Sequence, residues 1–171
     1  MTSLNTEAIS LYMRLLVRAR NASLLQFHEI RSSLEVAAAG FAAVRATMAE
    51  LEKLRQMADE IEESLAADDQ ERFIAADVAF HAMLSDASHN PLFQAVLDPI
   101  MGTLADIRRL TYHIDGSPQH GQIYHRRILE CIEQSDIEGA REAMRQHMDF
   151  VAEDIERSEE DMPIASDVAS M

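Results

Sequence analysis

The sequence predicts an all-α protein, an antiparallel bundle of about six to seven helices built around one core. Length is the first reason: 171 residues, set against about 150 per domain, make one folded unit large enough to bury a core without disulfides. Composition is the second. Five Gly and four Pro fall below the usual shares of about 7% and 5%, and Ala, Leu, Met, Glu and Arg abound, so helix is favoured and turn-rich sheet folds are excluded. Rhythm is the third, because between turn signals the apolar residues recur at spacings of three and four.

A first helix is expected from Asn5 to Arg20, with Ile9, Tyr12, Leu15 and Leu16 in phase, and residues 1–23 read as this helix and a linker ending Asn21-Ala22-Ser23. Ser23 is placed to cap a helix from Leu24 to Arg45 whose stripe is Phe27, Leu34, Ala38 and Phe41. Thr47 to Glu50 form a capping box, after which Leu51, Leu54, Ala58, Ile61 and Leu65 alternate with a charged face. Asp68-Asp69 start the next helix, which runs to about Ser88. Asn90-Pro91 open another towards His113, with a kink or break expected near Pro99. After the loop Asp115-Gly116-Ser117-Pro118 a helix runs to about Glu133. A second capping box, Ser135 to Glu138, opens a last helix to about Arg157. Residues 24–157 thus form the bundle, and residues 158–171 read as a flexible acidic tail.

Charge narrows the function. Fifteen basic against thirty acidic residues give a net charge of −15, which repels phosphate backbones, so this chain alone is not expected to bind DNA. The single cysteine, Cys131, cannot form an internal disulfide, and no signal peptide or long apolar run is evident. A cytoplasmic location without membrane contact is expected.

The chemistry concentrates in the stretch Phe73 to Leu84, where only Asp77 and His81 interrupt an otherwise apolar run. They stand four apart and share a helix face. A buried carboxylate needs a partner, which can be an internal hydrogen bond to the histidine or a cation. His125 precedes Ile128, Leu129 and Ile132 at helical spacing, and His147 sits in phase with Ala140, Met144 and Val151. In an antiparallel hairpin turning at Ser135, Arg145 is level with His125. At about 1.5 Å rise per residue His147 is then offset by only about 3 Å. Asp77, His81, His125 and His147 therefore form a candidate site for a divalent transition metal, zinc or nickel first. His28, His89, His113 and His120 lack that convergence and read as surface or rim residues, with His120 the one placed to approach a pocket.

Arg31 and Arg108 fall on apolar stripes and should point inward, whereas Arg109 lies off its stripe. An inward guanidinium needs an anion. For Arg31 this is Glu35, one turn away, or a bound ligand; the spacing leaves both open. No phosphate-binding loop or nucleophile elbow is present in the sequence.

The runs Arg31-Ser-Ser-Leu-Glu35, Asp77-Val-Ala-Phe-His81 with Ser88-His-Asn90-Pro91, His125 to Ile132, Ser135-Asp136 with Ala140-Arg141, and Arg145-Gln-His147-Met resemble the FCD domain. That is the C-terminal effector-binding and dimerisation domain of FadR-subfamily GntR bacterial transcriptional regulators. The resemblance implies a homodimeric helical bundle that holds a metal at the positions of Asp77, His81, His125 and His147. It also implies a small organic acid above the metal, with Arg31 on its carboxylate; Arg108, Glu35 and His120 complete the expected ligand-binding set. Members of this family normally begin with a winged helix-turn-helix. Nothing before Asn5 resembles one, so this chain is expected to touch DNA only through a domain it does not contain. The expected function is ligand sensing, not catalysis. The alternatives are a helical-bundle metalloenzyme, for which no inward general base can be placed, and a metal-stabilised dimerisation module without a ligand.

Overall fold

A computed structural model describes residues 23–161, which form six helices. These are α1 (Leu24–Arg45), α2 (Met48–Ala66), α3 (Gln70–Ala87), α4 (Pro91–Thr111), α5 (Ser117–Glu133) and α6 (Ile137–Asp161). The helix expected over Asn5 to Arg20 and the end of the acidic tail lie outside the described residues. Among the described residues there is no strand, and no helix is long and apolar enough to cross a membrane.

Capping residues set most of the boundaries. Ser23 accepts from the Gln26 N–H while the Gln26 side chain accepts from Ser23 N–H, and Thr47 and Glu50 repeat the arrangement at α2. Asp69 and Asn90 cap α3 and α4. Three expectations need correction. The α6 cap is Asp136, whose Oδ1 accepts from Gly139 N–H at 2.9 Å. Ser135 instead adopts the left-handed conformation (φ 56°) that ends the α5–α6 turn. Helix α6 continues four residues past Arg157, since Ser158 Oγ donates to the Ile155 carbonyl without disturbing the helix. Helix α4 runs through Pro99 without a break: proline removes one donor, and the carbonyl left without it, on exposed Ala95, is in reach of water.

Neighbours in sequence pack as antiparallel hairpins, α2 on α3, α3 on α4 and α5 on α6, and α1 closes the bundle against α6 and α3. The main core joins Leu54, Ile61, Phe80, Leu84, Ile128, Met144 and Met148. A smaller cluster of Phe27, Leu97, Met101 and Leu104 seals α1 onto α4. Each such side chain contributes about 1.5–3 kcal/mol on burial. The buried stripe of α1 is His28, Arg31, Glu35, Ala38 and Ala42, rotated from the expected one, so Leu34 and Phe41 are only half-buried. Polar residues occupy the centre of the face that turns inward. They face the site.

Candidate metal centre

Five of the six helices deliver polar side chains to one point inside the bundle. Helix α3 supplies Asp77 and His81 one turn apart, α5 supplies His125, α6 supplies His147, α1 supplies Arg31 and Glu35, and α4 supplies Arg108. All seven are 3% exposed or less. One ligating atom from each of His81, His125 and His147 lies within 4.8 Å of the others. The Nε2 atoms of His81 and His125 are 3.4 Å apart, and the His125 and His147 ring centroids 4.6 Å. Asp77 Oδ1 stands 3.4 Å from His125 Nε2. The α5–α6 hairpin and the i,i+4 pair thus bring the three histidines to one point, with Asp77 beside His125 and outside the trio whose ligating atoms lie within 4.8 Å of one another.

Hydrogen bonds on the far side of the rings decide which nitrogen faces inward. His81 Nδ1–H donates to Glu35 Oε2 in a short bond, and His125 Nδ1–H to Gln122 Oε1 at 3.3 Å. Gln122 is in turn fixed by donating from Nε2 to the Ala58 carbonyl of α2 at 2.8 Å. Both imidazoles therefore present a bare Nε2 lone pair to the centre. The sequence reading missed Gln122, although it stands three residues before His125 on the buried face of α5, where an amide among apolar residues is itself a signal.

The arginines take the remaining acceptors. Arg31 Nε donates to Glu35 Oε1 at 2.5 Å and its Nη2 to His81 Nε2 at 3.4 Å. Arg108 Nε donates to Asp77 Oδ2 at 2.9 Å and its Nη2 to His147 Nε2 at 3.2 Å. Burial alone would raise the Glu35 carboxyl, but the Arg31 guanidinium and His81 outweigh it and hold Glu35 at about 2. Asp77 is likewise raised by burial yet held below the usual carboxylate range by Arg108 and His125. Burial pushes His125 down to about 3 despite the pull of Asp77, and drives His147 well below its ordinary range, with His125 and Arg108 adding to the effect. These are neutral imidazoles beside ionised carboxylates, the protonation states of a ligand set.

A divalent cation fits this donor set. Asp77 Oδ1 is buried and accepts no hydrogen bond, and His147 Nδ1 and Arg31 Nη1 are also buried and unpartnered. One oxygen and three nitrogens, two of them oriented from behind, are what zinc or nickel takes. One histidine departs from expectation, and His120 does not. His28, expected at the rim, is buried on α1, where its Nε2–H donates to the Met148 carbonyl at 2.8 Å, because the helix presents that face to α6. Burial, then Arg31, lowers it to about 4. His120 is exposed, edge-on to Phe150 with centroids 5.5 Å apart. It lines a surface pocket with Asp68, Tyr112 and Asp115 to which none of the four ligand candidates contributes.

Comparison with known proteins identifies the family of this fold. The FCD domain matches residues 26–150. The chain is 32% identical over 128 residues to the HTH-type transcriptional regulator LutR of Bacillus subtilis, covering 72% of this chain and 58% of that protein. It is 30% identical over 131 residues to the HTH-type transcriptional repressor NanR of Cronobacter sakazakii, covering 73% and 48%. The solved structure of Streptococcus agalactiae GntR superposes with a TM-score of 0.68 at 26% identity, over 76% of this chain and 58% of that one. The chain spans about half the length of the curated relatives it matches. It belongs to the FCD domain family and is homologous to the regulators of the GntR/FadR type.

Proposed function

We propose that this chain is the sensor of a transcriptional regulator, holding a divalent transition metal on Asp77, His81, His125 and His147 and reading a small organic acid beside it. Family identity supports a regulatory and non-enzymatic role, with ligand sensing and dimerisation as its general form. The observation that carries the metal reading is the trio of buried histidines with ligating atoms within 4.8 Å, next to a carboxylate oxygen without a donor. Zinc or nickel, when bound, supplies a Lewis acid to which a carboxylate oxygen can coordinate.

The chain's own residues do the rest. Glu35 and Gln122 hold the His81 and His125 rings in the ligating tautomer. Arg31 and Arg108 offer planar forks suited to a carboxylate. His120, on the surface, would contribute only at the approach to the site. Because the seven central residues are almost wholly buried, an acid reaches them only if helices move. That movement is the signal, a shift between arrangements with and without ligand. In a homodimer joined to HTH-type reading domains, it would alter their relative placement and so their fit to DNA. The bundle, residues 24–161, is the sensing unit in this reading, with residues 1–23 linking it to the reader.

The test begins with protein washed free of metal by a strong chelator. One zinc or nickel per chain should then be taken up, by calorimetry and elemental analysis, and His125→Ala and His147→Ala should each lose it. In a thermal-shift screen, organic acids should raise the melting temperature of loaded protein and leave chelated protein unchanged. Uptake undiminished in both variants would overturn the metal reading.

A further inference from the structure

We infer that the ligand of this site is a dicarboxylate, and that it and the cation raise each other's affinity; this rests on the metal reading above. Two independent accounts of the buried cluster agree on it.

The first concerns hydrogen bonds. The lone pairs on His81 Nε2 and His147 Nε2 accept from Arg31 Nη2 and Arg108 Nη2. These are the same lone pairs that a cation needs. With the imidazoles ligating, both Nη2 donors lose their acceptors, and Arg31 Nη1 already has none although Arg31 is fully buried. Two guanidiniums are left with unmet donors inside the buried core, a state that a carboxylate on each relieves with charge-assisted bonds. The Nε atoms stay on Glu35 and Asp77, so each arginine remains in place to receive one.

The second concerns charge. Arg31 and Arg108 are cancelled by Glu35 and Asp77. Ligating imidazoles are neutral. A divalent cation therefore leaves the interior with two uncompensated positive charges, and at 3% exposure or less no solvent ion compensates them. One carboxylate answers half of this excess. Two answer all of it. By linkage the anion must tighten the cation by the factor with which the cation tightens the anion.

The test uses the full chain and measures zinc affinity by competition with a chromophoric chelator, in acetate, malonate, succinate or the neutral succinamide, corrected for zinc held by the acid in solution. Malonate or succinate should tighten zinc by about tenfold or more, acetate by less than about threefold, and succinamide not at all. The reciprocal calorimetric titration of dicarboxylate, with and without zinc, should return the same factor. Arg108→Gln removes one positive charge and should move the preference from dicarboxylate to acetate; the wild-type series decides the matter by itself if that variant does not fold. Acetate matching the dicarboxylates, or zinc affinity indifferent to every acid, would overturn the inference and leave the metal reading standing. Failure to take up zinc under all conditions would overturn both.

Discussion

Two residues that touch no ligand in the proposed site control how well it forms. Gln122→Leu keeps the volume of the side chain but leaves His125 Nδ1–H without an acceptor and takes from the Ala58 carbonyl the donor it has beyond its own helix. Zinc affinity should fall about 10- to 100-fold. In the wild type, long-range 1H–15N spectra should show His125 protonated on Nδ1; a proton on Nε2 in the metal-free protein would contradict the role given to Gln122. Glu35→Gln should weaken zinc over a similar range, since an amide is a poorer acceptor for His81 Nδ1–H than a carboxylate. The four ligand candidates were legible in the sequence because each interrupts an apolar stripe at a position fixed by helical phase. His28 was not, because its burial depends on how far α1 is rotated against α6, and rotation is a tertiary property. Gln122 was legible in principle, but an amide on a buried face is a weaker cue than an imidazole.

At the level of elements, the start of α5 depends on a residue far along the chain. Gly116 precedes it with a left-handed backbone (φ 76°) and offers no side-chain cap. Ser117 Oγ instead donates at 2.5 Å to Asp154 Oδ2 of α6, whose other oxygen accepts from Arg157. Asp154 is buried, so its carboxylate sits at the positive end of α5 and pins the two helices together. Asp154→Ala should cost about 1–3 kcal/mol in urea denaturation, whereas Glu156→Ala, two residues on and exposed on the opposite face, should lie within about 0.5 kcal/mol of wild type. Helix boundaries read from Ser23, Thr47, Asp69 and Asn90 hold because caps are local chemistry. The cap of α6 was misplaced by one residue because Ser135 and Asp136 are both good caps by type, and only the backbone twist of the turn distinguishes them.

For the whole molecule, stability should depend on pH through its buried imidazoles. His28, His125 and His147 are lowered in the folded chain, to about 4 for His28 and about 3 for His125, from 6.5. Asp77, His81, Glu35, Arg31 and Arg108 surround them. Between these values and 6.5 the unfolded chain binds the extra protons, so stability rises with pH and is lost as pH falls through 6.5 towards 3, by about 1 kcal/mol per pH unit for each group. Glu35 and Asp77, lowered from 4.5 and 3.8, add a loss of the same sign at still lower pH. In chelator, the melting temperature should be level above about pH 7 and drop steeply from about pH 6 to pH 4; equal values at pH 5 and pH 7.5 would refute the buried-neutral assignment. Zinc should move the drop to lower pH, because it holds the imidazoles in their neutral form.

The Ser135 elbow has a bearing on how such a protein can diverge. With only three residues between α5 and α6, one inserted amino acid has little loop to absorb it, and taken up into α6 it would turn His147 by about 100° and advance it by about 1.5 Å, out of alignment with His125. Length variation among descendants should therefore be purged at this elbow and better tolerated in the wider arch from Tyr112 to Gly116, whose five residues can absorb an insertion without turning the helix that carries His125.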